Sequence, residues 1–138
     1  MLYRILFYTI AGTILLHACQ GKAKPKALDP ANVTRVELVE KSFDFGDIKQ
    51  GEIVGHTFRV KNTGEKNLFL LDIESSCGCT TANYTTKPVK PGDNGIIEVK
   101  FDSSGKYGKQ YKVVHVSANT SQRNFELVVK ANIVARDE

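Results

Sequence analysis

The stretch Val54-Gly55-His56-Thr57-Phe58-Arg59-Val60-Lys61 alternates apolar or aromatic residues with polar or small ones. Successive side chains of an extended strand point to opposite faces of a sheet, so this alternation separates a core face from a solvent face. The predicted core face comprises Val54, His56, Phe58 and Val60. The pattern predicts a half-buried β-strand.

The same period of two returns along most of the chain. Turn signals rich in Gly, Pro, Asn, Asp and Ser separate the repeats about every 8–12 residues, and no helical period is visible beyond the N-terminal segment. The alternating segments are 36–38, 43–45, 97–101, 113–118 and 125–131, and residues 47–51 have the composition of a connection. We therefore predict an all-β fold, an antiparallel β-sandwich of seven to eight strands over residues 33–138.

Leu68 to Ile73 breaks the alternation, because nearly every residue in it is apolar. A continuous apolar run is typical of a strand that is buried on both faces. We expect a central strand here. It is followed by Ser75-Ser76-Cys77-Gly78-Cys79 and then by a β-branched segment, residues 80–85, that predicts a further strand.

Composition excludes some classes of function. The 138 residues are 41% hydrophobic and 25% charged, with a formal net charge of +4. Basic and acidic residues are interleaved rather than clustered, so no nucleic-acid-binding face is expected. The chain has no Gly-x-Ser-x-Gly elbow, phosphate-binding glycine loop or His-Glu-x-x-His motif, so we predict neither catalytic residues nor a cofactor.

Residues 1–18 are predicted to be an export signal. Arg4 precedes an uncharged apolar run from Ile5 to Leu16, which is too short for a membrane span of about 20 residues. Leu16-His17-Ala18-Cys19 resembles a bacterial lipobox, which implies cleavage before Cys19 and acylation of Cys19 with fatty acids such as palmitate. A signal peptide cut elsewhere, or an uncleaved anchor, is the alternative.

Residues 19–32 are predicted to be a flexible tether. The segment is rich in Lys, Ala and Pro and would reach about 40 Å when extended. Lys22, Lys24 and Lys26 either solubilise the linker, which we favour, or lie against anionic headgroups. Together these features place the protein in the bacterial cell envelope, attached to a membrane through lipid on Cys19 and facing the periplasm or the cell surface.

Cys77 and Cys79 remain as a pair if Cys19 carries lipid, and export places them in an oxidising compartment. Residues i and i+2 of a strand point to the same side, so the two sulfurs can converge. Three interpretations stay open: a local disulfide, a redox-active dithiol or soft-metal site, and two small buried side chains. We favour a structural role.

The metal interpretation depends on whether a histidine lies beside the two cysteines as a further ligand. His56 is a weak candidate ligand beside Cys77 and Cys79, although a histidine on an apolar face is more often a core or rim residue. His115 is expected to be exposed. A metal site would gain support only if a histidine lay close to the cysteines.

An ordered set of short motifs points to a family. The set is Phe43-x-Phe45-Gly46-x-Ile48-x-x-Gly51, Phe58-x-x-x-Asn62-x-Gly64, Cys77-Gly78-Cys79-Thr80, Pro88-x-x-Pro91-Gly92 and Gly95-x-Ile97-x-Val99-x-Phe101. Over residues 33–134 the chain resembles the bacterial domain of unknown function 1573, which is similar to Ig-like domains of the hydin and abnormal-spindle type. The resemblance implies a seven-stranded Ig-like sandwich, often exported or lipid-anchored, and no known activity.

Two functional hypotheses follow. The first is a non-enzymatic, lipid-anchored Ig-like domain that binds an unidentified protein partner or has a structural role at the envelope. The alternative is a thiol redox or copper-binding protein that uses Cys77-Gly78-Cys79.

Overall fold

A computed structural model describes residues 29–135. The predicted signal peptide 1–18, the lipidation site Cys19 and most of the tether 19–32 lie outside the described residues. After a 3-10 turn, Pro30–Asn32, the described chain forms eight strands. They are β1 (Val36–Leu38), β2 (Ser42–Lys49), β3 (Ile53–Asn62), β4 (Leu70–Ser75), β5 (Thr80–Tyr84), β6 (Asn94–Asp102), β7 (Gly108–Ala118) and β8 (Asn124–Val134).

The strands form two four-stranded sheets packed as a sandwich. The first sheet has the order β1-β3-β6-β5 and the second β2-β8-β7-β4. The predicted Ig-like β-sandwich is therefore confirmed. Within residues 29–135 every neighbouring pair is antiparallel except β2 and β8, which are parallel. The chain crosses from the first sheet to the second after β1, and β2 then lies beside β8 in the same direction.

The core lies between the two inner faces, as the period of two predicts. On the first sheet Phe58, Val60, Ile97 and Val99 are fully buried, and on the second Val114, Val116, Leu127 and Val129 are buried. Each such side chain contributes about 1.5–3 kcal/mol through removal from water. His56 has the inward parity of Phe58 but is only partly buried, near the rim.

Residues 47–49 were expected in a connection, and that expectation is wrong. β2 continues to Lys49, and Ile48 is only 6% exposed. The register against β8 shifts between Asp44 and Asp47, where Gly46 has a positive φ of 69°. The extra residue is a β-bulge, which changes the parity of the strand and returns Ile48 to the core.

The predicted central strand at Leu68–Ile73 is also wrong in position. β4 begins at Leu70 and is the edge strand of the second sheet. Leu68 and Leu70 are buried, but Phe69 and Leu71 are 39% and 51% exposed. Leu71 is an extra residue in the register between Leu70 and Asp72. A continuous apolar run therefore reflects a bulged edge strand here, not burial on both faces.

The loops divide between two ends of the sandwich. At the proximal end, residues 29–35, 63–69, 85–93 and 119–123, the described chain begins, and Asn119 holds it by donating to the carbonyl of Asn32 (2.6 Å). The opposite, distal end comprises residues 50–52, 76–79 and 103–107. The 11-residue β7 runs between the two ends and spans about 35 Å.

Asn62 organises the proximal end. It is fully buried at the end of β3, and its amide nitrogen donates to the carbonyls of Lys66 (2.8 Å) and Val89 (2.9 Å). Its amide oxygen accepts from the Thr34 hydroxyl (2.9 Å) and the Gly64 backbone N–H (3.1 Å). One side chain thus makes four hydrogen bonds to the surrounding loops, two of them to the buried residues Thr34 and Val89.

Asn62→Ala is expected to lower the free energy of unfolding by about 3 kcal/mol, because the buried Thr34 hydroxyl and the loop groups of Gly64 and Lys66 lose the partner that Asn62 provides. Chemical denaturation followed by circular dichroism measures the change. The matched control is Asn83→Ala on the exposed face of β5, which should stay within about 0.5 kcal/mol of the parent. Equal effects of the two substitutions would contradict the role given to Asn62.

Candidate functional site

Residues 76–79 form a strap between the two sheets. The strap leaves β4 in the second sheet and enters β5 in the first. The sulfurs of Cys77 and Cys79 are bonded within it at 2.04 Å, and their Cα atoms are 5.3 Å apart. Of the three interpretations of this pair, the structure has the geometry of the local disulfide.

Hydrogen bonds fix the backbone of the strap independently of the sulfurs. The Ser75 hydroxyl lies 2.9 Å from the carbonyl of Cys77 and 2.7 Å from that of Thr80. The N–H of Thr80 donates to the carbonyl of Cys77 (3.1 Å), which closes a turn. The Ser75 hydroxyl, the turn and the first residue of β5 therefore keep the strap in one conformation.

Each end of the strap is also bonded to its own sheet. The Ser76 N–H donates to Val113 on β7 (3.0 Å), and the Ser76 hydroxyl accepts from the Val113 N–H (3.2 Å). The carbonyl of Cys79 accepts from the N–H of Asp102 on β6 (2.9 Å). The strap is consequently a fixed part of the distal end.

The two sulfurs have different surroundings. The Cys77 sulfur lies 3.6 Å from the hydroxyl of Thr80, a residue that is 2% exposed. Cys79 packs instead against the apolar cluster of Ile48, Phe101, Ala131 and Ile133. Gly78 between them is exposed, and a Cβ placed there would meet no atom within 4 Å. The strap is therefore open to solvent at its apex.

His56 does not join the cysteines. Its ring stacks on Phe43 with a centroid distance of 3.7 Å, meets Phe58 edge-on at 4.8 Å, and its Nε2 bonds the carboxylate of Glu40. The carbonyl of Cys79 is hydrogen-bonded to Asp102 on β6, and Asp102 pairs with Ile53 on β3. Cys79 therefore lies two strand spacings across the sheet, and three residues along β3, from His56. That separation is about 14 Å.

The three weak metal candidates therefore do not form one site, because His56 lies apart from the bonded pair Cys77 and Cys79. In residues 29–135 no group of three or more His, Cys, Asp or Glu side chains is close enough to hold a metal ion. Two thiolates alone make a poor Cu(I) site, which usually has a third ligand. His115 is exposed, as expected, and its Nδ1 lies 3.2 Å from the carboxylate of Glu126.

Beside the strap, the turn after β2 and the loop after β6 form one surface. The buried Ser103 hydroxyl bonds the carbonyls of Lys49 (3.0 Å) and Glu52 (2.9 Å), which ties the two loops together. The side-chain and backbone hydrogen bonds from Ser104 lower the pKa of Asp102, so this carboxylate is ionised at neutral pH. Ile53 and Tyr107 are 68% and 74% exposed here.

Sequence reasoning found the cysteines but missed Ser75, Thr80 and Ser103. The sequence predicts Thr80 only as a β-branched strand residue and a member of the Cys77-Gly78-Cys79-Thr80 motif, and no pattern singles out Ser103. Hydroxyl residues immediately beside a cysteine pair or a strand end are a weak signal, because serine and threonine are common in every loop.

The family follows from comparison of the sequence. The family of proteins of unknown function DUF1573 matches residues 36–133, and the chain belongs to it. No curated protein sequence matches this chain significantly. The family and the sandwich together define an Ig-like domain of unknown function.

Solved structures agree with this fold. A protein of unknown function from Porphyromonas gingivalis W83 superposes with a TM-score of 0.66 at 22% identity, covering 77% of this chain and 50% of that one. The ASH / PapD-like domain 7 of human CEP192 superposes with a TM-score of 0.62 at 11% identity, covering 91% of this chain and 99% of that one. The secreted serine protease VesC from Vibrio cholerae superposes with a TM-score of 0.58 at 11% identity, covering 75% of this chain and 24% of that one.

These likenesses extend to the fold alone. The chain spans about half the length of the Porphyromonas protein and a quarter of VesC. Low identity transfers no protease activity from VesC. Within the described residues no helix is long and apolar enough to cross a lipid bilayer.

The disulfide is expected to contribute little to stability. Its loop is so short that it restricts the unfolded chain by only about 1.5 kcal/mol, against about 3 kcal/mol for a 15-residue loop. The double variant Cys77→Ser, Cys79→Ser should keep its circular dichroism spectrum and lose no more than this in a denaturant titration. A loss above about 3 kcal/mol would show that the disulfide is the main support of the strap.

Proposed function

We propose that this protein is a non-enzymatic interaction module of the bacterial cell envelope, held on a membrane by lipid on Cys19. In this proposal the tether attaches the sandwich at its proximal end, and the distal end is presented to a protein partner. Affinity would come from burial of surface side chains, so the proposal requires no cofactor and no catalytic residue.

The observation that carries the proposal is the placement of the two ends. The described chain begins at the proximal end, where Thr34 donates its N–H to Asn119 (2.9 Å). The distal loops lie at the other end of β7, about 35 Å away. A membrane attachment upstream of residue 29 would therefore join the sandwich at the end opposite the distal loops.

The distal end has properties that suit a binding surface. Ser103 ties two of its three loops together, so little conformational entropy is lost there when a partner binds. Ile53 and Tyr107 expose most of their large side chains to solvent, and tyrosine is among the residues enriched at binding hot spots.

Anchoring is tested by growing cells with a clickable fatty-acid analogue. The parent protein should be labelled and should sediment with membranes, because each buried methylene of the lipid contributes about 0.8 kcal/mol to membrane binding. Cys19→Ala should be unlabelled, because it lacks the thiol that carries the lipid. An unlabelled parent, or a Cys19→Ala variant labelled as strongly as the parent, would contradict the anchor.

Presentation of the distal end is tested by a photo-crosslinking residue in intact cells. Placed at Tyr107 it should give a discrete adduct, and placed at the exposed Lys66 of the proximal end it should not. Ile53→Asp should abolish the Tyr107 adduct, since it puts a charge into the proposed contact. Adducts of equal yield from both positions would argue against a distal binding surface.

A further inference from the structure

We propose that Cys77–Cys79 is a reversible redox pair, which oxidises a dithiol of a partner protein to a disulfide. The proposal is independent of the lipid anchor. It keeps the anchor and the binding surface of the proposed function and replaces its non-enzymatic part with thiol–disulfide exchange. Three features of the strap support it.

The first feature is that the bond is not needed as a staple. A disulfide across one intervening residue constrains the unfolded chain little. The strap already crosses between the sheets on hydrogen bonds from Ser75, Ser76 and Asp102. A structural disulfide is expected where a segment lacks other contacts, and this strap already has hydrogen bonds to both sheets.

The second feature is that the hydrogen bonds of the strap do not depend on the disulfide. None of the bonds that fix the strap backbone uses a sulfur atom. Reduction would thus leave two thiols side by side on a fixed backbone, and reclosure would require little ordering of the chain. Preorganisation of this kind lowers the conformational-entropy cost of interconverting the two redox states.

The third feature is the difference between the two sulfurs. The Thr80 hydroxyl beside Cys77 can donate to a thiolate on that residue, and a charged sulfur accepts a stronger hydrogen bond than a bonded one. Cys79 lies against apolar side chains, which disfavour its thiolate. Cys77 is consequently the sulfur that exchanges with the partner, and Cys79 is the one that closes the pair again.

The reaction proceeds in two exchanges. A thiolate of the partner attacks the Cys77 sulfur, forming a mixed disulfide, and the electron pair of the broken bond passes to Cys79, which takes up a proton. The second thiolate of the partner then attacks the partner's own sulfur and releases Cys77 as a thiolate. The partner loses two electrons and two protons. The protein gains the two electrons and one proton, as the Cys79 thiol and the Cys77 thiolate, and the second proton passes to solvent.

Thr80 is a positioning residue in this scheme, since it acts on the Cys77 sulfur and touches no substrate. It stabilises the reduced form, and a more stable reduced form makes a disulfide a stronger oxidant. The open apex at Gly78 gives a partner thiol access to the pair.

The decisive experiment equilibrates the purified protein in glutathione redox buffers, alkylates free thiols with a maleimide and reads the oxidised fraction by intact mass. The pair should pass from mostly oxidised to mostly reduced within buffers that also titrate a thioredoxin-type control. A pair that stays oxidised throughout, or that is isolated as free thiols after oxidising growth, would overturn the proposal.

Single-cysteine variants test the asymmetry. Cys79→Ser should form a mixed disulfide with oxidised glutathione near neutral pH faster than Cys77→Ser, because its remaining thiol lies beside Thr80. Circular dichroism of both variants first establishes that each is folded. Equal rates, or a faster Cys77→Ser, would overturn the assignment of Cys77.

Thr80→Val retains shape and removes the hydroxyl. We expect the equilibrium with glutathione to shift about tenfold toward the disulfide, equivalent to about 30 mV for two electrons. Thr80→Ser should restore the parent value, which a purely structural role of the threonine would not require. An unchanged equilibrium in Thr80→Val would remove Thr80 from the scheme. Failure of these redox tests would leave the lipid-labelling and crosslinking results unaffected, so the two proposals can be distinguished.

Discussion

The structure depends on burial of the two inner sheet faces against each other. β3 and β6 supply one face and β7 and β8 the other, and the side chains between them are almost wholly withdrawn from water. Removing this apolar area from water is the main favourable free energy of a domain of this size. The edge strands and the loops at both ends take their positions from these four strands, so a loop change need not disturb the core.

Polar groups determine what happens at the ends. Asn62 and Asn119 occupy buried positions at the proximal end and satisfy loop carbonyls and N–H groups there. Ser103 does the same between two distal loops. Buried polar groups must be hydrogen-bonded, and these short side chains meet that requirement while fixing loop conformation. The surface proposed for a partner is rigid for this reason.

The strap illustrates how a covalent bond and a hydrogen-bond network divide their tasks. Residues 76–79 must cross from one sheet to the other, and backbone bonds to β6 and β7 secure both of their ends. The disulfide is therefore expected to add little to the fold, which is consistent with the exchange reaction proposed for it. Its two sulfurs differ because one faces a buried hydroxyl and the other faces the core, a difference that arises from the crossing itself.

The sequence by itself determined the class of fold, because a period of two is a direct consequence of how strands present their side chains. It also placed most of the turns, although not the one expected from residue 47, and it singled out Cys77 and Cys79. Only the tertiary structure decided the parity change at Gly46, the edge position of Leu68–Ile73 and the distance between His56 and the cysteines. Each of these depends on which strand lies beside which, and long-range pairing leaves no mark in a local pattern.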